Sequence, residues 1–203
     1  MLESDSQVIG LYTKRDDGVW FGVACDEEWV FATAFCSDQE KALQDLLKSI
    51  PFNAPFQCSA KHSPFADHAL DSLKRVYYGK DVSERLSLAM GHLPEYTQKI
   101  LRTVFLIPVG YASSYGLVAK AAGGSPRAVG RVMATNPFAP IVPCHRVVSS
   151  DFTLGGYGGG LDAKLAFLER EKRGYTDRRE IQVNGKKLQV FPVELVLKRF
   201  GKG

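Results

Sequence analysis

The hydrophobic pattern of the first sixty residues predicts short β-strands. Apolar runs rich in aromatic and β-branched residues occupy positions 8–12, 19–24 and 29–35, and acidic turns separate them. Runs of this composition between polar turns favour an antiparallel meander. We therefore expect a small antiparallel sheet in this part of the chain.

Two helices are expected in the same half. Ser37 precedes Asp38-Gln39-Glu40 in the manner of a capping box, and the helix that follows should end near Ser49, ahead of a proline. A second helical pattern runs from Asp67 to Tyr78. Neither segment carries a chemical motif, so this half is interpreted as a scaffold.

Helical periodicity returns after residue 92. Pro94 suits the first position of a helix on which Tyr96, Ile100 and Val104 share one face, and this helix should stop before Pro108.

Two short helices joined by Gly123-Gly124 come next. The first should run from Ser114 to about Ala122, and the second should begin with Ser125 as N-cap and continue towards Asn136-Pro137. This pattern is typical of a helix-turn-helix, with a simple αα corner as the alternative. Arg127 favours the helix-turn-helix, because a cation in the first turn opposes the helix dipole and is useful there to an anionic ligand.

A glycine-rich loop precedes a further helix. Five of the six residues from 155 to 160 are glycine, but they match no phosphate-loop pattern, so we interpret them as backbone that approaches a ligand closely. The helix should run from Leu161 to about Lys172, with Leu161, Leu165 and Leu168 facing inward. Glu171 shares that face and needs a partner, for which His145 is the obvious candidate.

The last segment contains an Asn184-Gly185 pair, which predicts a two-residue hairpin, and a short helix is expected from Pro192. The predicted fold class is therefore α+β. Residues 1–92 are expected to form an N-terminal mixed α/β domain with a small antiparallel sheet. Residues 93–174 should form a mainly helical domain that contains the helix-turn-helix and a cysteine loop, and residues 175–203 an extension without assigned chemistry.

Charge is distributed unevenly along a chain whose net charge is +4. Between residues 94 and 150 the only acidic residue is Glu95, whereas six are basic: Lys99, Arg102, Lys120, Arg127, Arg131 and Arg146. A nearly acid-free stretch of this kind suggests a polyanionic partner such as nucleic acid.

The composition also limits cofactors and location. No apolar run reaches membrane-spanning length and no secretory signal is visible, so a cytoplasmic protein without a membrane partner is expected. Cys25, Cys36 and Cys58 with His62 and His68 could be imagined as a zinc site, but their spacing fits none of the usual patterns. We therefore expect no metal, no other cofactor and reduced thiols.

The fourth cysteine lies in Pro143-Cys144-His145-Arg146-Val147. A cysteine reacts as the thiolate, which a neighbouring imidazole or cation makes easier to form. Because proline has no N–H and a fixed φ, the stretch should be a strand that opens to present the thiol. An inert buried cysteine is the alternative.

Taken together, these motifs resemble the O6-alkylguanine-DNA alkyltransferase family. The resemblance covers roughly residues 94–173, in order and with close to the expected spacing. It is carried by Ile107-Pro108-Val109-Gly110, Ser114-Tyr115-Gly116, Pro126-Arg127-Ala128-Val129-Gly130, Asn136-Pro137, the Cys144 pentapeptide, Gly156-Tyr157, and Gly159-Gly160-Leu161 with Lys164.

The resemblance implies a monomeric DNA repair protein that binds double-stranded DNA through the minor groove. It would flip an O6-alkylated guanine, notably O6-methylguanine, out of the duplex and transfer the alkyl group irreversibly to its own Cys144. This is the reaction of a methylated-DNA–protein-cysteine methyltransferase, which acts once. The chemical residues would be Cys144, His145 acting through a water, Glu171 holding the imidazole, and Asn136 bracing the turn.

The resemblance also implies DNA and base contacts. Arg127 would fill the gap left by the flipped base, and Tyr115 would push on the phosphate and donate to the base. Backbone groups of Val147 and Gly158 would read the guanine edge, and Tyr157 and Arg131 complete the expected set. A cysteine hydrolase and a helix-turn-helix regulator are the rival functions, and a lesion sensor that does not repair is disfavoured by the presence of Cys144.

Overall fold

The computed structural model describes residues 8–58, 61–82 and 86–201. Across these residues the protein is a mixed α+β structure with two four-stranded sheets and seven α-helices. It divides into two compact units. The first comprises the chain up to Arg75 with residues 82–92 and 137–139, and the second comprises residues 76–81, 93–136 and 140–203.

The first unit is built on an antiparallel meander. Strands β1 (Ile9–Asp16), β2 (Val19–Cys25) and β3 (Val30–Cys36) pair in that order, as the alternation of apolar runs and turns predicts. A short fourth strand, β4 (Phe56–Cys58), pairs in parallel with β1 and was not predicted. The sheet order is therefore β3-β2-β1-β4.

Two helices belong to this part of the chain. Helix α1 (Gln39–Ser49) is capped by Asp38, whose side chain accepts from the Lys41 N–H, so the predicted capping box at Ser37 was wrong by one residue. Helix α2 (Pro64–Tyr77) begins earlier than expected because the Ser63 hydroxyl accepts from the Ala66 N–H. Ala42 and Leu46 of α1 pack against the apolar side chains of the sheet.

The second unit contains five helices. These are α3 (Glu95–Phe105), α4 (Tyr115–Ala122), α5 (Pro126–Ala134), α6 (Leu161–Arg170) and α7 (Val193–Lys198). Ser114 and Ser125 cap α4 and α5 by accepting from the N–H groups of Leu117 and Ala128. Pro94 is the N-cap of α3 rather than its first residue. Leu161 is 52% exposed, so its predicted inward orientation was wrong; it begins α6 directly after the glycine loop.

A second sheet joins the helices of this unit. Strands β5 (Tyr111–Ser114) and β6 (Val147–Val148) are parallel neighbours, and the hairpin of β7 (Arg179–Val183) and β8 (Lys186–Pro192) adds to β5 on its other side. The order is β6-β5-β8-β7. Asn184 and Gly185 both have positive φ, as the predicted two-residue turn requires. The stretch around the cysteine was expected to be a strand that opens at the thiol, but only Val147–Val148 after it are strand; residues 139–141 form turns and Cys144–Arg146 a 3₁₀-helix.

The C-terminal segment contributes to the core of the second unit. Val193, Val196 and Leu197 of α7 are fully buried in one cluster with residues of β5, β6 and α6, namely Ala112, Val148 and Leu168, and with Leu154. The segment from residue 175 is thus part of the same packed unit as the cysteine turn. No described helix is both long and apolar enough to cross a membrane.

Truncation of a core residue in α7 should therefore destabilise the second unit. Leu197 is fully buried, so Leu197→Ala should lower the free energy of unfolding by about 2–5 kcal/mol. The neighbouring Lys198 is exposed, and Lys198→Ala should change this free energy by no more than about 0.5 kcal/mol. Urea denaturation followed by circular dichroism compares the two variants. Equal denaturation midpoints for the two variants would mean that the burial of Leu197 does not contribute to stability.

Candidate active site

A cavity of about 560 Å³ opens beside Cys144 in the second unit. Its walls come from the start of α4, from α5, from the cysteine turn and from the glycine loop. Five of the residues expected at the site line it: Tyr115, Arg127, Cys144, Tyr157 and Gly158. A volume of this size is ordinary for a pocket that holds a small organic molecule. The cavity thus places a thiol, a guanidinium and two phenols around one space.

Cys144 begins a single turn of 3₁₀-helix, Cys144–Arg146. Its own N–H donates to the Val142 carbonyl, and the Asn136 side-chain amide donates to the same carbonyl at 2.8 Å. The Asn136 side chain is therefore tied to the residue two positions before the cysteine. The cysteine itself is only 4% exposed, so the cavity is its access to solvent.

Opposing influences act on the Cys144 thiol. Burial raises its pKa, because a thiolate is poorly solvated inside the protein. A hydrogen bond with the Asn136 side chain, the charge of Lys164 and a hydrogen bond with Tyr157 each lower that pKa. The surroundings therefore provide three stabilising contacts for a thiolate at a position where burial disfavours it.

His145 lies behind the cysteine turn and is completely buried. Its Nε2 is 2.9 Å from Oε1 of Glu171, and its ring stacks on Phe167 with centroids 4.7 Å apart. Burial lowers the pKa of His145, and Glu171 opposes this effect. Because Glu171 is ionised, Nε2 must carry the proton in the neutral imidazole and donate it to the carboxylate. Nδ1 then has a free lone pair, and no described protein group hydrogen-bonds to it.

Glu171 caps the end of α6 and makes a second ionic contact, with Arg146. Nε of Arg146 donates to both carboxylate oxygens at 3.1 and 2.9 Å, and Nη2 donates to Oε1 at 2.7 Å. Nη1 donates to the Ile107 carbonyl at 2.5 Å. Burial alone would raise the pKa of Glu171, but Arg146 and His145 together lower it to about 2. The carboxylate is therefore a permanent anion.

Lys164 is a second buried cation at the site. It is fully buried on α6, and its Nζ donates to the carbonyls of Val147, Leu154 and Gly156 at 2.6, 2.5 and 3.3 Å. These contacts fix the glycine loop to the strand that follows the cysteine. Burial lowers the pKa of Lys164 to about 8, against the opposing effect of Cys144.

Not all of the other residues expected at the site line the cavity. The Tyr115 hydroxyl donates to the Gly156 carbonyl at 3.2 Å, at the cavity wall. Val147 does not line the cavity; it is buried in β6, and its carbonyl already accepts from Lys164. Arg131 is exposed on α5, one turn after Arg127, and also lies away from the cavity lining. Within the described ranges, no cluster of three or more His, Cys, Asp or Glu could hold a metal ion.

One known family model matches the segment that contains the site. Residues 95–173 match the model of the 6-O-methylguanine DNA methyltransferase DNA-binding domain. The match covers about two fifths of the chain. The matched segment contains every residue expected at the site, from Tyr115 to Glu171.

Curated relatives of this family share close to half of the chain. The methylated-DNA–protein-cysteine methyltransferase of Methanothermobacter thermautotrophicus is 43% identical over 103 residues, which are 50% of this chain and 58% of the relative. The Mycobacterium bovis protein of the same name is 45% identical over 106 residues, 51% of this chain and 64% of the relative. The similarity thus spans little more than half the length of these curated relatives.

Solved structures extend the likeness to most of the fold. The crystal structure of Mycobacterium tuberculosis OGT in complex with DNA is 26% identical with a TM-score of 0.63, covering 80% of this chain and 92% of that one. The O6-methylguanine-DNA methyltransferase of Pyrococcus kodakaraensis is 26% identical with a TM-score of 0.59, covering 81% and 99%.

Two buried residues of the matched segment, Arg146 and Lys164, were not predicted to contribute to the site. A signal for each was present. Arg146 follows Val142, Pro143 and the buried cysteine in an apolar stretch, where a cation needs an anion. Lys164 lies three and four residues before Phe167 and Leu168, on the apolar face of α6, so it had to be a buried lysine with partners.

The hydrogen bond between Tyr157 and Cys144 can be tested through thiol reactivity. Since this bond lowers the pKa of Cys144, Tyr157→Phe should raise it and move the midpoint of alkylation by iodoacetamide to higher pH. Tyr115→Phe is the matched control, because its hydroxyl donates to Gly156 and not to the thiol. Peptide mapping across a pH series separates Cys144 from the other cysteines. The same midpoint in both variants would show that Tyr157 does not support the thiolate.

Proposed function

We propose that this protein repairs O6-alkylguanine in duplex DNA by moving the alkyl group irreversibly to Cys144. The observation that carries the proposal is the position of that thiol. It faces a cavity large enough for a base, and it has the His145–Glu171 pair directly behind it. The names of the relatives and of the solved neighbours, including one structure with DNA, support the same reaction.

The proposed chemistry follows from the protonation states. The proton leaves Sγ of Cys144 and passes through a bridging water to Nδ1 of His145, since neighbouring side chains diverge. Glu171 stabilises the imidazolium that results. The thiolate attacks the alkyl carbon, a sulfur–carbon bond forms, and the carbon–O6 bond breaks with its electron pair going to the guanine. The guanine regains a proton, and a thioether remains on the protein.

This chemistry can happen once per molecule. A thioether has no leaving group comparable to the guanine oxygen, so neither water nor a second thiol displaces the alkyl group under ordinary conditions. The protein is thus proposed to act as a suicide methyltransferase, which needs no metal or organic cofactor in this scheme.

DNA recognition is assigned to α4 and α5. These helices are joined by three residues and pack on each other, which supports a helix-turn-helix. The first turn of α5 holds no acid and presents Arg127 both to solvent and to the cavity. We assign Arg127 to the gap left by the flipped guanine and Arg131 to a phosphate. Docking in the minor groove by a monomer in the cytoplasm completes the proposal.

The first experiment is intact-protein mass after incubation with a duplex carrying O6-methylguanine. One added methylene on the peptide that contains Cys144, appearing once and then stopping, is expected. Cys144→Ser should add no mass and still bind the duplex. Unchanged mass with lesion binding would indicate a sensor that does not repair, and neither change nor binding would indicate a cysteine enzyme with another substrate.

The second experiment tests base flipping. Arg127→Ala should slow transfer from duplex DNA by about 10–100-fold, because a few kcal/mol are needed to hold a base out of the stack. Transfer from the free base O6-methylguanine should be nearly unchanged. Arg131→Ala, on the same helix but off the cavity, should keep the wild-type rate at saturating DNA. Equal losses on duplex and free base in Arg127→Ala would exclude the intercalating role.

A further inference from the structure

The C-terminal segment, residues 175–201, lies beyond the matched family domain and has no role in the proposed chemistry. It nevertheless contacts the chain next to both structural supports of the buried Arg146. One support is Glu171, at the end of α6. The other is the Ile107 carbonyl, in the connection between α3 and β5.

The first contact holds the turn that follows Glu171. Oε1 of Glu194, in the first turn of α7, accepts from three consecutive N–H groups: Arg173 at 3.0 Å, Gly174 at 2.6 Å and Tyr175 at 3.1 Å. A carboxylate that accepts several N–H groups forms strong, charge-assisted bonds. The chain is therefore fixed two to four residues after Glu171, where a free helix end would fray.

The second contact holds the connection that carries Ile107. The Val193 N–H donates to the Gly110 carbonyl at 2.9 Å, and the Tyr175 ring stacks on Tyr111 with centroids 5.1 Å apart. Gly110 has a φ of +81°, and a Cβ there would lie 2.9 Å from the Tyr175 ring. The connection and the turn after Glu171 are thus packed too closely for any side chain at position 110.

Arg179 also contacts the two stacked tyrosine rings. The Arg179 guanidinium lies 4.8 Å from the Tyr111 ring centre and 5.4 Å from that of Tyr175, so one cation covers both rings. The turn, the connection and the hairpin are therefore held as one assembly, in which the Glu194 carboxylate bonds the turn.

We propose that Glu194 is a positioning residue for Cys144: by fixing the 173–175 turn it holds Glu171 against Arg146 and His145. The effect runs through Glu171, which keeps the His145 imidazole oriented and basic. If the Glu171 carboxylate moves out of position, His145 becomes a weaker base. The Cys144 thiolate then forms only at higher pH. The consequence for repair rests on the proposed function, but the consequence for the thiol does not.

The test compares Glu194→Ala and Glu194→Gln with Glu180→Ala as control. Glu180 is an exposed carboxylate of the same segment, and it pairs with Lys187. For each protein, the rate of Cys144 alkylation by iodoacetamide is measured across pH with peptide mapping. The rate of methyl transfer from the free base O6-methylguanine is then measured over the same range.

Glu194→Ala should move both midpoints to higher pH and slow transfer at neutral pH by about tenfold, a loss typical of slightly misplaced groups. The methyl-transfer rate of Glu194→Ala should recover at high pH, and a partly unfolded protein would not show this recovery. Glu194→Gln keeps a neutral acceptor and should lie between wild type and Glu194→Ala. Glu180→Ala should match wild type.

The proposal is overturned if the pH midpoints of the Glu194 variants equal those of the wild type. If Glu194→Ala does not fold, the midpoints of Glu194→Gln decide. A uniform loss of rate at every pH would also overturn it, since that result indicates a stability effect only. Absence of methyl transfer in the wild type would instead refute the proposed function, while the iodoacetamide comparison would still decide the role of Glu194.

Discussion

The ion pair between Arg146 and Glu171 is the contact on which the candidate site depends. It joins the cysteine turn to the end of α6, and the same carboxylate holds the ring of His145. Both side chains are almost completely buried, so removal of either one would leave an unpaired charge inside the protein, at a cost of about 3–5 kcal/mol. Every element that reaches this pair therefore also fixes the position of Cys144.

The balance of buried charge explains why a thiolate is tolerated at this site. Within the described second unit, the fully buried charged side chains are two cations, Arg146 and Lys164, and one anion, Glu171. A protonated Cys144 leaves one positive charge in excess, and its thiolate neutralises the set. Burial disfavours the Cys144 thiolate, while the charge of Lys164 favours it. Lys164 also binds three carbonyls of the surrounding loops, so one ammonium both shapes the cavity and balances its charge.

Much of this arrangement follows from local sequence, and the rest does not. Caps at Ser114 and Ser125 and the turn at Asn184-Gly185 are set by a few adjacent residues, so they could be predicted. The pairing of β8 with β5 could not, because it joins residues about eighty positions apart and no local pattern encodes it. For the same reason the contacts of Glu194 could not be predicted, because its three hydrogen-bond donors lie about twenty residues before it in the sequence. Glu171 was predictable because an acid on an apolar helix face requires a partner.

The two sides of the candidate site have opposite physical characters. Arg127 is exposed at the start of α5 and lines a cavity that Gly156 and Gly158 of the glycine loop also line. His145, Arg146 and Glu171 are buried and joined to one another through the Glu171 carboxylate. In the proposed reaction, an exposed cation would adapt to a distorted duplex, whereas proton transfer needs atoms held at fixed distances. Changes on the exposed side should therefore alter which substrates reach the thiol, and changes on the buried side should alter the pH at which the thiol reacts with any of them.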